Sequence, residues 1–154
     1  MIKILFICHG NICRSPMAEF IMFDLIRKAG LQSKISVSSA ATTTEEIGND
    51  IYPPAKRKLQ EKGIPFSPRH ARKMTRDDYD QYDYIVGMDE ENLHDMLRIC
   101  GSDTEHKISL LLDWPGLNRD VADPWYTGNF DRTWDDLSIG CTAMLEKLRT
   151  MITN

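Results

Sequence analysis

The first thirty residues limit the possible folds most, because they predict a buried strand, a short loop and a helix in direct succession. Residues 2–7 are apolar except for Lys3, without the alternation expected when one face of a strand meets water. Such a run is typical of a parallel strand that is covered on both faces. A helical pattern follows from about Pro16 to Ala29, and Gly30 marks its end. The loop between strand and helix is therefore expected at the carboxyl edge of a parallel sheet.

This loop is rich in residues suited to binding an anion. We expect Ser15 to cap the helix and Pro16 to open it, so that the loop amides and the first helical N–H groups converge above Cys8. Gly10 and Asn11 accept the left-handed backbone that such a cradle needs. A phosphoryl group fits this arrangement. We call the stretch the phosphate loop; it comprises Cys8, His9, Gly10, Asn11, Ile12, Cys13, Arg14 and Ser15.

Cys8 and Arg14 stand six positions apart and suit attack on a phosphoryl group. A Cys at a helix N-terminus and near a fixed cation is favoured as the nucleophilic thiolate. The planar guanidinium of Arg14 can hold two phosphoryl oxygens, and the Ser15 hydroxyl could stabilise the thiolate when it leaves. The alternative is a buried core Cys with a surface Arg. The strand before the loop and the helix after it disfavour that alternative.

Strands and helices alternate along the rest of the chain. Further strands are predicted near residues 35–39, 83–88 and 107–112, with helical patterns between and after them. This alternation predicts the α/β class, as a single three-layer domain over residues 1–154 with a parallel sheet and helices on both faces. The order of the strands does not follow from the pattern.

Four polar or reactive residues each follow a predicted strand: Cys8, Ser39, Asp89 and Asp123. Because parallel strands end at one edge of their sheet, we expect these residues to lie near one another despite their separation in the chain. Asp89 is most simply the cap of the helix that follows it, and it is assigned a structural role.

Composition excludes several classes of protein. A net charge of −4 over 154 residues argues against a nucleic acid or an anionic membrane as the main partner. The short apolar run at the start predicts neither a secretory signal nor a membrane span, so a cytoplasmic location is expected. The four cysteines lack paired metal-ligand spacing, which predicts reduced thiols, no metal and no cofactor. They are Cys8, Cys13, Cys100 and Cys141.

A phosphatase with a Cys nucleophile also needs an acid, because the leaving oxygen must be protonated. Asp123 is the candidate, since it lies in a long loop after the fourth predicted strand and Pro124 stiffens its turn. A surface Asp-Pro turn without a chemical role is the alternative. Trp125 and Tyr126 are candidate walls of a cleft for an aromatic ester. Their alternative role is to anchor the loop in the core.

Together these motifs resemble the low-molecular-weight protein tyrosine phosphatases over nearly the whole chain. The resemblance implies a four-stranded sheet in flavodoxin-like order, a phosphocysteine intermediate on Cys8, and Asp123 as the acid that later activates water. It implies phosphotyrosine-containing proteins or aryl phosphates as substrates, with inorganic phosphate or vanadate as ligands. The physiological substrate and the oligomeric state stay open. The motifs are the phosphate loop, Ser39-Ala40, His70-Ala71-Arg72, residues 88–92 and Asp123-Pro124-Trp125-Tyr126.

The same resemblance implies supporting and redox roles. His70, together with Asn11, Ser15 and Ser39, resembles the hydrogen-bond network that fixes the loop in this family. Cys13 lies five residues from Cys8, so a sulfenic acid on Cys8 could be trapped as a disulfide. Its alternative role is that of a small packing residue.

Some positions bear on the substrate. The family often has Gly where Ala41 stands, and an aromatic residue on the cleft wall where Glu45 aligns. Glu45 is thus a candidate cleft residue that would replace stacking by negative charge. Ile12 fits the tyrosine-phosphate branch, because the arginine-phosphate branch carries Thr there.

Two other functions stay open on the same fold. An arsenate reductase would use the same loop, but it needs two resolving cysteines close together in a mobile segment. Cys100 and Cys141 lie 41 positions apart on two predicted helices, which disfavours it. A non-catalytic phosphopeptide-binding module would keep Arg14 but would have no use for Cys8 and Asp123.

Overall fold

A four-stranded, entirely parallel sheet organises the chain, as the alternating pattern predicts. The computed structural model describes residues 1–153, and Asn154, the last residue of the predicted domain, lies outside them. The strand order is β2-β1-β3-β4, which confirms the flavodoxin-like order that the resemblance implies. The strands are β1 (Ile2–Cys8), β2 (Ile35–Ala41), β3 (Tyr84–Gly87) and β4 (Ile108–Leu110).

Helices connect the strands and cover both faces of the sheet, which confirms the predicted α/β class. A single 3₁₀ turn, Leu111–Asp113, follows β4 where the sequence pattern predicts a longer strand. The helices are α1 (Arg14–Lys28), α2 (Pro53–Glu61), α3 (Asp77–Gln81), α4 (Glu90–Cys100), α5 (Pro124–Thr127) and α6 (Phe130–Thr153).

The central strand β1 is buried on both faces, as its apolar sequence predicts. Ile4 and Phe6 belong to one core cluster, with residues of α1 and α6. Leu5 and Ile7 belong to the second cluster, with residues of α3 and α4. All four side chains are completely buried. The carboxyl end of β1, where Cys8 lies, is therefore held between two cores.

Helix α1 begins earlier than the sequence predicts. Arg14 is its first residue, Cys13 occupies the cap position without a side-chain cap, and Pro16 lies within the first turn. The expected cap role of Ser15 is therefore wrong. Its hydroxyl forms hydrogen bonds with Cys8 and Asn11 instead.

Helix α4 packs closely against Gly87 at the end of β3. A Cβ atom at Gly87 would lie 2.7 Å from the sulfur of Met96 on α4. Asp89 caps this helix, as predicted, by accepting a hydrogen bond from the Asn92 amide at 2.7 Å. Because Asp89 comes directly after β3, its carboxylate lies at the same sheet edge as the phosphate loop.

No helix in residues 1–153 combines the length and the apolar character needed to cross a bilayer.

Candidate active site

The phosphate loop joins the end of β1 to the start of α1. Asn11 adopts the left-handed backbone, with φ 58°, whereas Gly10 does not. Gly10 has a different reason to lack a side chain, because a Cβ there would lie 3.2 Å from Cγ of Glu46. The loop thus turns at Asn11, while Gly10 lies close against the Glu46 side chain in the segment that follows β2.

Cys8 is buried at the base of the loop, with 3% of its surface exposed. Its Sγ lies 3.0 Å from Oγ of Ser15. Because Ser15 Oγ already accepts a hydrogen bond from Asn11 Nδ2 at 2.8 Å, the hydroxyl proton is available for the sulfur. The arrangement is therefore able to stabilise a thiolate on Cys8.

Asn11 is the centre of a buried hydrogen-bond network. Its Nδ2 also donates to Ser39 Oγ at 2.9 Å, and Ser39 Oγ donates to Glu19 Oε1 at 2.5 Å. Its Oδ1 accepts from the Arg69 guanidinium and from the Arg72 backbone amide. Burial raises the pKa of Glu19, although Ser39 and the two arginines oppose that rise. The network fixes the side-chain amide of Asn11, which donates the hydrogen bond to Ser15.

The structure does not bring His70 into this network, which corrects the role predicted for it. His70 is exposed, and its Nδ1 lies 2.9 Å from the Gly48 carbonyl oxygen. The neighbouring Arg69 reaches Asn11 instead. The sequence did not predict that Glu19 and Arg69 take part in this network. The signal for Glu19 is its position one helical turn after Ser15, on the same face of α1.

Arg14 is almost completely buried, with 2% of its side chain exposed. Its Nη1 donates to Asp89 Oδ2 at 2.7 Å and to the Val121 carbonyl at 2.9 Å, while Nη2 faces Asp123 Oδ2 at 3.3 Å. Burial alone would lower the pKa of Arg14, but Cys8, Asp89 and Asp123 raise it above its ordinary value. Arg14 is therefore a fixed positive charge.

Two N–H groups of Arg14 are left for a ligand. A guanidinium has five N–H donors, of which Nη1 uses two and Nη2 uses one in the bonds above. Within the described residues, Nε–H and the second Nη2–H have no partner. These neighbouring donors match two oxygens of a phosphoryl group. Asp89, predicted as a helix cap in a supporting, structural role, also orients this guanidinium.

Asp123 lies at the same edge, at the start of the short helix α5. Its Oδ1 accepts a hydrogen bond from the Trp125 amide at 3.0 Å, and its Oδ2 is the atom that faces Arg14. About a quarter of its side chain, 23%, is exposed. The carboxyl group is thus oriented by the backbone while it remains open to a ligand. The sequence pattern missed α5, because four residues give no periodicity.

One cavity of about 110 Å³ brings most of the predicted site together. Trp125 and Tyr126 lie on its wall, with 52% and 81% of their surfaces exposed. Glu45 lies at its mouth, where its Oε2 is 3.0 Å from Nε2 of His9. Glu46 also lines the cavity, which the sequence did not predict. The complete lining is Cys8, His9, Gly10, Ile12, Cys13, Arg14, Glu45, Glu46, Asp123, Trp125 and Tyr126.

Cys100 and Cys141 do not form the close pair of resolving cysteines that an arsenate reductase requires. Cys100 ends α4 in one core cluster, whereas Cys141 lies within α6 in the cluster on the opposite face of the sheet. Burial raises the pKa of both thiols. They are not a close pair in a mobile segment. Within residues 1–153, no group of three or more His, Cys, Asp or Glu side chains is arranged to hold a metal ion.

Comparison with known proteins gives one consistent family. The family model described as "Low molecular weight phosphotyrosine protein phosphatase" matches residues 3–153. Low molecular weight protein-tyrosine-phosphatase YfkJ from Bacillus subtilis is 40% identical over 151 residues, and the match covers 97% of each chain. The human low molecular weight phosphotyrosine protein phosphatase is 38% identical over 150 residues, covering 94% of each chain.

Solved structures agree with the sequence comparison. The crystal structure of YfkJ superimposes with a TM-score of 0.94 at 39% identity, covering 98% of this chain and 96% of that chain. The sequence, the sheet order and the placement of the phosphate loop all indicate the same family. The resemblance predicted from the motifs is confirmed, and the chain belongs to the low molecular weight phosphotyrosine protein phosphatase family.

Proposed function

We propose that this protein hydrolyses phosphotyrosine and aryl phosphate monoesters through a phosphocysteine intermediate on Cys8. The observation that carries the proposal is the meeting of three groups around one cavity: a nucleophile, a fixed cation and an acid. They are Cys8, Arg14 and Asp123. The names of the relatives support the same substrate class.

In the first step, the Cys8 thiolate attacks phosphorus while Arg14 and the loop amides hold the phosphoryl oxygens. A P–S bond forms and the P–O bond to the phenol breaks. Asp123 transfers its proton to the leaving oxygen, which departs as a neutral phenol. The protonated acid and the ionised thiol are thus both used in this step.

In the second step, the Asp123 carboxylate takes a proton from a water molecule that attacks the phosphocysteine. The P–S bond breaks, the Ser15 hydroxyl stabilises the returning thiolate, and inorganic phosphate is released. The same cradle accounts for inorganic phosphate and vanadate as ligands, because both present tetrahedral oxygens to the amides and to Arg14. Trp125, Tyr126 and Ile12 favour an aromatic ester above them.

The decisive assay for this proposal compares four substrates in parallel: an aryl phosphate, phosphoserine, phosphoarginine and arsenate. We expect phosphate release from the aryl phosphate to exceed that from the other phosphorylated compounds, because it alone among them brings an aromatic ring to Trp125 and Tyr126. Arsenate reduction would instead support the reductase alternative. Tight phosphopeptide binding without any turnover would support the binding-module alternative.

Replacing Asp123 by Asn should lower kcat/KM for phenyl phosphate by about a hundred-fold or more, the usual size of a general-acid contribution. The loss for p-nitrophenyl phosphate should be much smaller, because this leaving group departs without a proton. Asn keeps an oxygen that can accept from the Trp125 amide, so the start of α5 is preserved. An equal loss for both substrates would mean that Asp123 is structural.

Glu45 is expected to weaken binding of phosphotyrosine peptides, because it brings negative charge where an aromatic ring would stack. Glu45→Tyr should lower KM by about two- to ten-fold at low salt, the range that an aromatic contact covers. Glu45→Gln is the matched control, since it removes only the charge. The decrease in KM caused by Glu45→Gln should disappear at high salt, where the charge is screened. An unchanged KM for both variants at both ionic strengths would exclude Glu45 from substrate binding.

We also propose Cys13 as the redox partner of Cys8. Peroxide would oxidise the Cys8 thiolate to a sulfenic acid, and the Cys13 thiol would displace water from it to form a disulfide. Burial raises the pKa of Cys13, so its attack on the sulfenic acid should be slow. After peroxide and then thiol reductant, Cys13→Ser should recover less activity than wild type. Equal recovery would leave Cys13 as a packing residue.

A nucleophilic thiol needs reducing surroundings, and all four cysteines of this structure are free. We therefore propose the cytoplasm as the place of action and phosphoproteins as the partners.

A further inference from the structure

The segment that carries Asp123, residues 121–128, is attached firmly along its inner side. The Val121 amide donates to the Met88 carbonyl at 2.8 Å, and the Val121 carbonyl accepts from Arg14. Thr133 Oγ1 donates to the Ala122 carbonyl at 3.0 Å. These bonds fix the two residues before Asp123. They do not reach the outer side of the segment, where Trp125 and Tyr126 face the cavity.

On the outer side, the segment rests on Tyr52. The ring centroids of Tyr52 and Trp125 are 4.8 Å apart, with an angle of 50° between the rings. Tyr52 also stacks on Phe130, at 6.3 Å and 28°. The Tyr52 ring therefore lies between the segment that carries the acid and the first residue of α6. Such ring pairs are favourable beyond the area that they bury.

Tyr52 is itself attached to the phosphate loop. Its backbone amide donates to the Ile12 carbonyl at 2.9 Å. The turn before it is fixed by Asp50, whose carboxylate accepts from the Ile51 amide at 2.8 Å and pairs with Lys56 at 2.7 Å. Pro53 follows directly and restricts the start of α2. The position of the Tyr52 ring is thus defined relative to the loop that holds the phosphoryl group.

The contacts form a continuous path from the phosphate loop to the acid. Tyr52 joins the loop through its backbone and Trp125 through its ring, and the Trp125 amide binds Asp123 Oδ1. The direct contact between Asp123 and Arg14 is long, at 3.3 Å, compared with 2.7 Å between Asp89 and Arg14. Arg14 therefore constrains the Asp123 carboxylate less than it constrains Asp89.

We propose that Tyr52 is a positioning residue that sets the place of the Asp123 carboxyl group relative to the phosphoryl group, acting through Trp125. The inference rests on the proposed role of Asp123 as general acid. Tyr52 does not touch the reacting atoms, so its effect should be confined to the two proton transfers of Asp123, to the leaving oxygen and from the attacking water.

Tyr52→Ala should therefore lower kcat/KM for phenyl phosphate about two- to ten-fold more than for p-nitrophenyl phosphate, as expected for the loss of one aromatic contact. Tyr52→Phe should restore the wild-type ratio, because it keeps the ring. The inhibition constant of inorganic phosphate should stay unchanged in both variants, since alanine and phenylalanine keep the backbone amide that binds Ile12. The comparison uses kcat/KM, which covers only the steps up to release of the phenol. Hydrolysis of the phosphocysteine is the same for all substrates and therefore does not hide the difference between them.

Two controls separate positioning from general stability. Tyr84 also pairs with a tryptophan, Trp114, at 5.5 Å, but it lies at the opposite end of β3. Tyr84→Ala should lower the melting temperature without changing the ratio between the two substrates. In a Trp125→Ala background, Tyr52→Ala should produce no further change in that ratio, because the path is already broken.

The inference is overturned if Tyr52→Ala slows both substrates equally, if Tyr52→Phe fails to restore the ratio, or if the effect persists without Trp125. These results leave the proposed function intact as long as Asp123→Asn still discriminates between the substrates. If Asp123→Asn does not discriminate, Asp123 is not the acid, and the roles of both residues are refuted together.

Discussion

Replacing Cys8 by Ser should abolish turnover while leaving phosphate bound. A serine hydroxyl at this position is far less ionised than a thiol, and the phosphocysteine cannot form. We expect activity on p-nitrophenyl phosphate below about a thousandth of wild type, the scale of loss when a nucleophile is removed. The affinity for inorganic phosphate, measured by titration calorimetry, should be largely preserved, because the loop amides and Arg14 remain.

Cys100→Ser is the matched control for this experiment. Cys100 is a buried thiol like Cys8, but it belongs to the core cluster on the face of the sheet away from α1. Its replacement should leave activity near that of wild type. Residual activity of Cys8→Ser above about a thousandth would refute Cys8 as the nucleophile.

Arg14→Lys should have the second-largest effect, even though it keeps the charge. A lysine ammonium has three donors on one nitrogen, whereas Arg14 binds Asp89, Asp123 and the Val121 carbonyl and still has two adjacent donors for the ligand. We expect kcat/KM to fall about a hundred-fold or more, as when a preorganised donor is removed from a transition state. Phosphate affinity should fall as well, in contrast to Cys8→Ser.

The same substitution should destabilise the fold, because two partly buried carboxylates lose good partners. A lower melting temperature for Arg14→Lys than for Arg98→Lys, which alters an exposed pair with Asp95, would show this effect. A mild loss of activity with normal phosphate affinity would refute Arg14 as the phosphoryl-binding residue.

Features encoded locally were predictable from the sequence. The apolar run, interrupted only by Lys3, identified β1 as a strand covered on both faces, and Asp89 was recognised as a helix cap from its place before a predicted helix. The phosphate loop could be located because a buried strand and a helix bracket it. The sheet order required the resemblance to a family, because pairing between strands is not a local property.

Features that depend on tertiary contacts were not predictable in this way. Ser15 was expected to cap α1, but its hydroxyl is held by Cys8 and Asn11 instead. His70 and Arg69 are adjacent in the chain, and only the path of the backbone decides that Arg69 is the one that reaches Asn11. Tyr52 lies far from Trp125 and Asp123 in sequence, so no local pattern could predict its ring contact with Trp125.

The double use of Asp89 limits which residues evolution can accept at that position. A helix cap alone can be Ser, Thr, Asn or Asp at nearly equal cost. Asp89, however, uses Oδ1 for the Asn92 amide and Oδ2 for the Arg14 guanidinium. Asn retains one acceptor but turns an amide donor toward a cation, and Ser or Thr has a single oxygen. A position that would be permissive in an ordinary helix is therefore restricted to aspartate in this one.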